Sequence, residues 1–252
     1  MITPEICTQT QAQVVLVTDI RPPDTRRPRA AQTRDVFLKM EAALHQQAMT
    51  FADVVRTWFH LDDILAWYGD FNAQRSAFFV ERGVFRGIVP ASTGVGIPNQ
   101  HGAALIGSVL AIKQLAQPLR IEAVPSPRQC SALDYRSSFS RAVEVQLAGQ
   151  RHLYISGTAS IDEGGKSVHV GDIAGQIRHT MDVVEAILTS RQMTWTNTRR
   201  AIAYFKNLRD APCFAPLCRS CGIPDLPVTL AAATICRDDL LFEIELDAVS
   251  PM

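Results

Sequence analysis

Residues 32–59, QTRDVFLKMEAALHQQAMTFADVVRTWF, and residues 176–203, QIRHTMDVVEAILTSRQMTWTNTRRAIA, align without a gap when the chain is shifted by 144 positions. Gln32 falls on Gln176, Glu41-Ala42 on Glu185-Ala186, Leu44 on Leu188, Met49-Thr50 on Met193-Thr194 and Arg56 on Arg200. The apolar pattern repeats along with the identities. Between Asp35 and Gln47, Val36, Met40, Ala43 and Leu44 share one helical face, and between His179 and Arg191, Val183, Val184, Ile187 and Leu188 do the same. Each helix leads through a short turn into a β-rich run, 54–59 and 200–205. A helix–turn–strand unit used twice at one register predicts two copies of a single folding unit.

Working outward, each half carries a second helix-like segment. Residues 69–83 space Phe71, Phe78 and Phe79 toward one side, whereas 211–222 is shorter and broken by Pro216. Strands are expected over 92–97 and 103–112 in the first half, and over 228–236 and 240–249 in the second. A hairpin pairs 143–147 with 152–156 through the turn 148–151, and Gly164-Gly165 turns the next pair. The first half has one comparable strand, 13–20, before an arginine- and proline-rich loop, 21–31. That loop reads as a solvated connection rather than a nucleic-acid site. Residues 117–130, with three prolines, read as a linker between 1–116 and 131–252. The order strands–helix–strand–helix–strands, used twice, describes an α+β fold: mixed sheets with helices packed on one face.

Composition narrows the function classes. The 252 residues are 47% hydrophobic, enough to bury a core, and 25 Lys+Arg cancel 25 Asp+Glu, so no global field draws the chain to nucleic acid or to an anionic membrane. No run of 18 apolar residues is present and residues 1–10 lack a leader pattern, so a cytoplasmic location is expected. Six cysteines without a leader do not read as a disulfide framework; Cys213, Cys218 and Cys221 crowd together but lack a nearby fourth metal ligand, and read as small thiols. Gly-x-Ser-x-Gly is absent, and Gly94-Val95-Gly96 lacks the third glycine of a dinucleotide fingerprint.

Several strings resemble a known fold and family. Gln32-Thr33-Arg34, the stretch Met49-Thr50-Phe51-Ala52-Asp53-Val54-Val55-Arg56-Thr57, Tyr154-Ile155-Ser156-Gly157 and Phe242-Glu243-Ile244-Glu245 resemble the RidA/YjgF (chorismate-mutase-like) fold. Trp67-Tyr68-Gly69-Asp70-Phe71-Asn72 with Arg75, Pro90-Ala91-Ser92-Thr93-Gly94, Tyr135 with Ser138-Phe139-Ser140-Arg141-Ala142, Ser156-Gly157-Thr158-Ala159-Ser160 and Cys236-Arg237-Asp238-Asp239 look more narrowly like the chorismatases. The resemblance implies two tandem RidA/YjgF-like domains. Residues 1–116 match the family's central domain, N-terminally shortened, and 131–252 its C-terminal domain. Chorismatases join three such domains, so the resemblance also implies a missing N-terminal domain and self-association of copies to compensate. It implies a chorismate substrate and no metal or organic cofactor.

Chorismate is a dicarboxylate enol ether, so its site needs cationic anchors and a proton donor. Arginine suits the anchors because its planar fork matches a carboxylate. Arg75 and Arg219 differ by the repeat offset and are expected at equivalent places, with Tyr68 two helical turns before Arg75. Tyr135 and Arg141 complete the expected binding set; core packing for the tyrosines, and a protein carboxylate for Arg141, are the alternatives. Glu243 is the candidate acid. Strand alternation puts Glu243 and Glu245 on one face and Phe242, Ile244 and Leu246 on the other, and loss of hydration raises a carboxyl pKa. The resemblance places the first glutamate of this strand in the pocket and leaves Glu245 as a rim or salt-bridge residue. Gly157 and Cys236 resemble the marks of 3-hydroxybenzoate formers within the family; a tight-strand glycine and a buried thiol are the plainer readings. Two other classes remain open: enamine or imine deamination, whose Pro-Ala-Arg-Ser/Thr arginine is absent from Pro90-Ala91-Ser92-Thr93 and Leu226-Pro227-Val228-Thr229, and inert small-anion binding.

Overall fold

In the computed structural model, which describes residues 5–8, 12–115 and 119–252, the repeat is realised at the offset of the sequence alignment. The remaining residues, which include parts of the N-terminal segment and of the expected linker, lie outside the described ones. Helix α1 (Arg29–His45) corresponds to α3 (Ile173–Ser190), and strand β3 (Val54–Leu61) to β9 (Thr198–Phe205). The repeated identities have repeated jobs. Gln32 accepts a hydrogen bond from the Ala104 amide at 2.8 Å, and Gln176 accepts one from Leu241 at 2.7 Å, so each pins its helix to the start of a strand. In both turns a threonine amide donates to the side chain three residues on, Thr50 to Asp53 and Thr194 to Asn197, at 2.8 Å each.

The first sheet has the order β1 (Glu5–Thr8), β2 (Ala12–Ile20), β5 (Leu105–Gln114), β3, β4 (Ala91–Gly96). The second runs β10 (Val228–Ala232), β9, β11 (Phe242–Pro251), β8 (Gln150–Ala159), β7 (Ala142–Leu147), β6 (Arg120–Val124). Among the described strand pairs, β3–β4 and β9–β10 are parallel and the others antiparallel, so both sheets are mixed as expected. Two strands were not read from the sequence. β1 adds to the edge of β2, and β6 forms inside the segment taken as linker, pairing with β7. Helix α1 starts six residues before the expected Asp35. Its first turn buries Gln32 and Thr33, polar residues that hide the apolar period.

Each sheet is covered on one face by helices. Under α1 and α2 (Ile64–Glu81), Phe37 stacks on Phe78 with centroids 5.0 Å apart and Phe59 meets Phe71 edge-on at 5.0 Å. In the second half, Val183, Val184, Ile187 and Leu188 of α3 bury Phe242, Ile244 and Leu246 of β11. Two smaller clusters join the halves: Val55, Ala91 and Ile112 meet Val143, Val145 and Leu147, and Val95 meets Ala159, Ile161 and Tyr204. Away from the helices the sheets leave a groove of about 370 Å³ lined by Leu16, Trp58, Leu110, Ile202 and Tyr204 among others.

The repeat fails at the second helix. α2 has 18 residues, whereas its counterpart region forms a 3-10 turn (Leu208–Cys213) holding Pro212, then α4 (Phe214–Ser220) of seven residues. The charges of the arginine loop are met within the chain: Arg21 pairs with Asp19, Arg26 with Asp24, Arg27 with Asp35 and Arg29 with Asp63. Among the described residues, no helix is long and apolar enough to cross a membrane.

Candidate active site

The site lies where the edge of the first sheet meets the second. Ala91 of β4 bridges Ser140, the Ser92 amide donates to Ser156 Oγ at 2.9 Å, and the Gly157 amide donates to Thr93 Oγ1 at 3.1 Å. Opposite this seam β11 pairs with β8 through a bulge between Ile244 and Leu246, so that Ser156-Gly157 oppose Glu245. A bulge re-aims side chains at such a place. Glu243, one step down the strand, turns into a cavity of about 220 Å³.

Gly157 is there because nothing larger fits. A Cβ at this position would overlap Glu243 Oε1 and lie 3.0 Å from its carboxyl carbon and 3.2 Å from Thr93 Cγ2. Glu243 itself is buried, and its pKa is pushed up to about 8, first by loss of water and then by the negative charge of Glu245; Arg141 opposes the rise. The carboxyl therefore carries its proton at neutral pH. Cys236, on the segment entering β11, lines the same cavity; burial, then the nearby Glu243, push its thiol up to about 12, so it faces the cavity as a neutral thiol.

Helix α2 contributes Tyr68, Asn72 and Arg75 from one face. The Arg75 guanidinium is 1% exposed; it donates to Asn72 Oδ1 at 2.5 Å and toward Ser92 Oγ at 3.4 Å, while its Nε has no hydrogen-bond partner. Burial lowers its pKa and raises that of Tyr68. From the second half, Arg141 is 5% exposed, donates from Nε and Nη2 to the Cys130 carbonyl at 3.0 and 2.9 Å, and stands over the Tyr135 ring at 5.5 Å. Arg237 approaches the same ring at 5.7 Å and donates to the Gly165 carbonyl at 2.8 Å. Among the described residues, none of these three guanidiniums forms an ion pair with a carboxylate. Uncompensated buried cations are costly unless an anion is to arrive.

The structure thus brings Glu243, Cys236, Tyr68, Arg75, Tyr135, Gly157 and Arg141 around one cavity. Arg219 is not among them. It sits exposed on α4 and faces Asp225 at 3.6 Å, because the shortened, proline-broken helix does not reproduce the place of Arg75 in α2. The second-half cation is supplied instead by Arg141, and a third, Arg237, was not read from the sequence as a site residue. Its signal was present, since it directly follows Cys236. Of the two places expected for Glu245 it takes the salt bridge and not the rim: it is fully buried between Arg56 Nη2, at 3.3 Å, and Arg200 Nη2, at 2.7 Å. Among the described residues, no three His, Cys, Asp or Glu side chains gather to hold a metal ion.

No family model matches the chain. The 3-hydroxybenzoate synthase of Streptomyces hygroscopicus is 26% identical over 242 residues, spanning 84% of this chain and 68% of that protein. A chorismatase of Streptomyces rapamycinicus is 25% identical, spanning 77% of this chain and 64% of that protein. The chain therefore spans about two thirds of the length of the curated relatives it matches. A chorismatase crystal structure superimposes with a TM-score of 0.73 at 21% identity, covering 97% of this chain and 77% of that one. With two RidA/YjgF-like units in tandem, this chain has the fold of the chorismatase structure and is similar in sequence to the chorismatases and 3-hydroxybenzoate synthases over part of those relatives' length.

Proposed function

We propose that the cavity cleaves chorismate into pyruvate and 3-hydroxybenzoate by protonation of the enol ether. The observation that carries this reading is a protonated buried carboxyl, Glu243, facing guanidiniums without carboxylate partners. Arg75 and Arg141, from different halves, each take one substrate carboxylate, and Tyr68 and Tyr135 wall the ring. Glu243 passes its proton to the enol-ether methylene, which becomes the methyl group of pyruvate and leaves an oxocarbenium-like carbon. Water then adds and collapse of the hemiketal breaks the ether; or the substrate's own hydroxyl oxygen adds, giving up its proton, its bond to the ring breaks so that it leaves as the ketone oxygen of pyruvate, and the ether oxygen parts from that carbon, takes up the proton and stays on the ring as the phenol. On the second route the products are an isomer of the substrate, so no water is consumed. Loss of a ring proton as the ring turns aromatic restores the proton to the Glu243 carboxylate. Cys236 and Gly157 shape the space around that oxygen and favour the aromatic product.

Pyruvate release from chorismate, followed through lactate dehydrogenase and NADH, tests the reading, with chromatography separating 3-hydroxybenzoate from the dihydrodiol and 4-hydroxybenzoate. Glu243→Gln is expected to abolish pyruvate release while chorismate binding persists. A wild-type protein that binds chorismate and releases no pyruvate would instead be an anion binder, and ammonia release from an imino acid would make it a deaminase; either result refutes the proposal. Self-association of copies over the apolar groove at Leu16, Trp58 and Leu110 accompanies this reading, and a monomer in sedimentation at high concentration would contradict it.

A further inference from the structure

Behind the cavity floor the two halves share a charge cluster outside the binding set. Arg56 and Arg200, which the repeat superimposes, both reach Glu245 and Asp247 of β11. Arg56 is fully buried, and its Nη1 also donates to the Ile155 carbonyl of β8 at 2.7 Å. Trp58 Nε1 donates to Glu245 Oε1 at 3.1 Å. Burial alone would raise the pKa of Glu245, but Arg56 and Arg200 outweigh it and hold this carboxyl below its ordinary value. Glu243 and Glu245 are two residues apart on one face of one strand, roughly 7 Å from each other along the chain, and both are buried. The two carboxyls are thereby driven in opposite directions, one fixed as an anion and one left as an acid.

We propose that Glu245, clamped by Arg56 and Arg200, is a positioning residue whose permanent negative charge adds to burial in keeping the proton on Glu243. It never meets substrate; it acts through its neighbour. Calling Glu243 the acid of the reaction rests on the function proposed above, but the charge coupling does not. The other groups facing Glu243 are Tyr68 and Arg75 of α2, Tyr135, Arg141, Cys236, Arg237 and, from β9, Tyr204. Arg141 is the one that works against the proton. Burial and the charge of Glu245 together thus outweigh Arg141 at Glu243.

Two variants move the midpoint in opposite directions if this is right. Glu245→Gln removes the anion and is expected to lower the Glu243 midpoint by about one pH unit. Arg200→Gln, at a side chain that is 42% exposed, leaves Glu245 less neutralised and is expected to raise it. The readout is the side-chain carboxyl resonance of Glu243 in a 13C NMR titration, which needs no turnover, with the pH profile of pyruvate release alongside. Unchanged midpoints in folded variants, or shifts of the same sign, overturn the inference. If Glu245→Gln does not fold, the sign of the Arg200→Gln shift decides alone. Opposite shifts without pyruvate release would uphold the coupling and refute the function.

Discussion

At Glu243 the cost of burying a carboxyl is converted into a stored proton, and that cost can be read in stability as well as in turnover. The folded protein holds the proton up to about pH 8, whereas the unfolded chain releases it near the ordinary glutamate value of about 4.3. Between those values the native state binds more protons than the unfolded state, so stability falls as pH rises and is lost in full above the folded midpoint. Glutamine does not titrate. Glu243→Gln is therefore expected to melt higher than wild type at pH 8.5, with the gap closing toward pH 5; thermal unfolding across that range checks it, and a constant gap would contradict the assignment. Gly157 is the complementary position. Its missing side chain is the space that Glu243 Oε1 occupies, so Gly157→Ala must move the acid or the bulge. About 1–3 kcal/mol of destabilisation is expected, with at least a tenfold fall in kcat, measured as pyruvate release at matched fractions of folded protein.

Elements explain which sequence readings transfer and which do not. The offset of 144 was legible because α1, α3, β3 and β9 each spend their apolar residues on a helix–sheet contact that tolerates little change in spacing. Gln32 and Gln176 repeat for the same reason: each satisfies a buried amide at a strand start. The second helices carry no such constraint. α2 must reach the cavity with Tyr68, Asn72 and Arg75, while α4 packs Phe214 and Cys218 and stops. Numbering alone could not reveal that, since Arg75 and Arg219 keep the offset while their helices differ in length. β6 escaped because prolines flank it on both sides and its exposed residues alternate weakly. Arg237 escaped although it directly follows Cys236, because neighbours along a chain need not share a cavity. The Arg219 correction has its own test: Arg219→Ala is expected to leave kcat and KM for chorismate within about twofold, as befits an exposed ion pair worth little. A loss comparable to that of Arg75→Ala would restore Arg219 to the site.

Across the whole molecule the site belongs to neither half. Its acid, its thiol and two of its guanidiniums come from the second unit; Tyr68, Asn72 and Arg75 come from the first. The geometry is therefore only as fixed as the seam. That seam has an apolar part, Val55, Ala91 and Ile112 against Val143, Val145 and Leu147, and a polar part in which Ser92, Thr93, Ser156 and Gly157 exchange hydrogen bonds. Arg56 crosses it, rooted in β3 and bonded to β8 and β11. Removing one partner of a buried ion cluster costs about 3–5 kcal/mol, because the charges left behind stay buried. Two halves so joined unfold together, and calorimetry of the wild-type protein is expected to show one transition with equal calorimetric and van't Hoff enthalpies. Arg56→Met is expected to lower that transition, or split it into two as the halves lose their coupling, and to weaken chorismate binding although residue 56 lies outside the cavity. Two separate transitions in the wild type would mean that each unit folds alone and that the cavity is assembled only when the units dock.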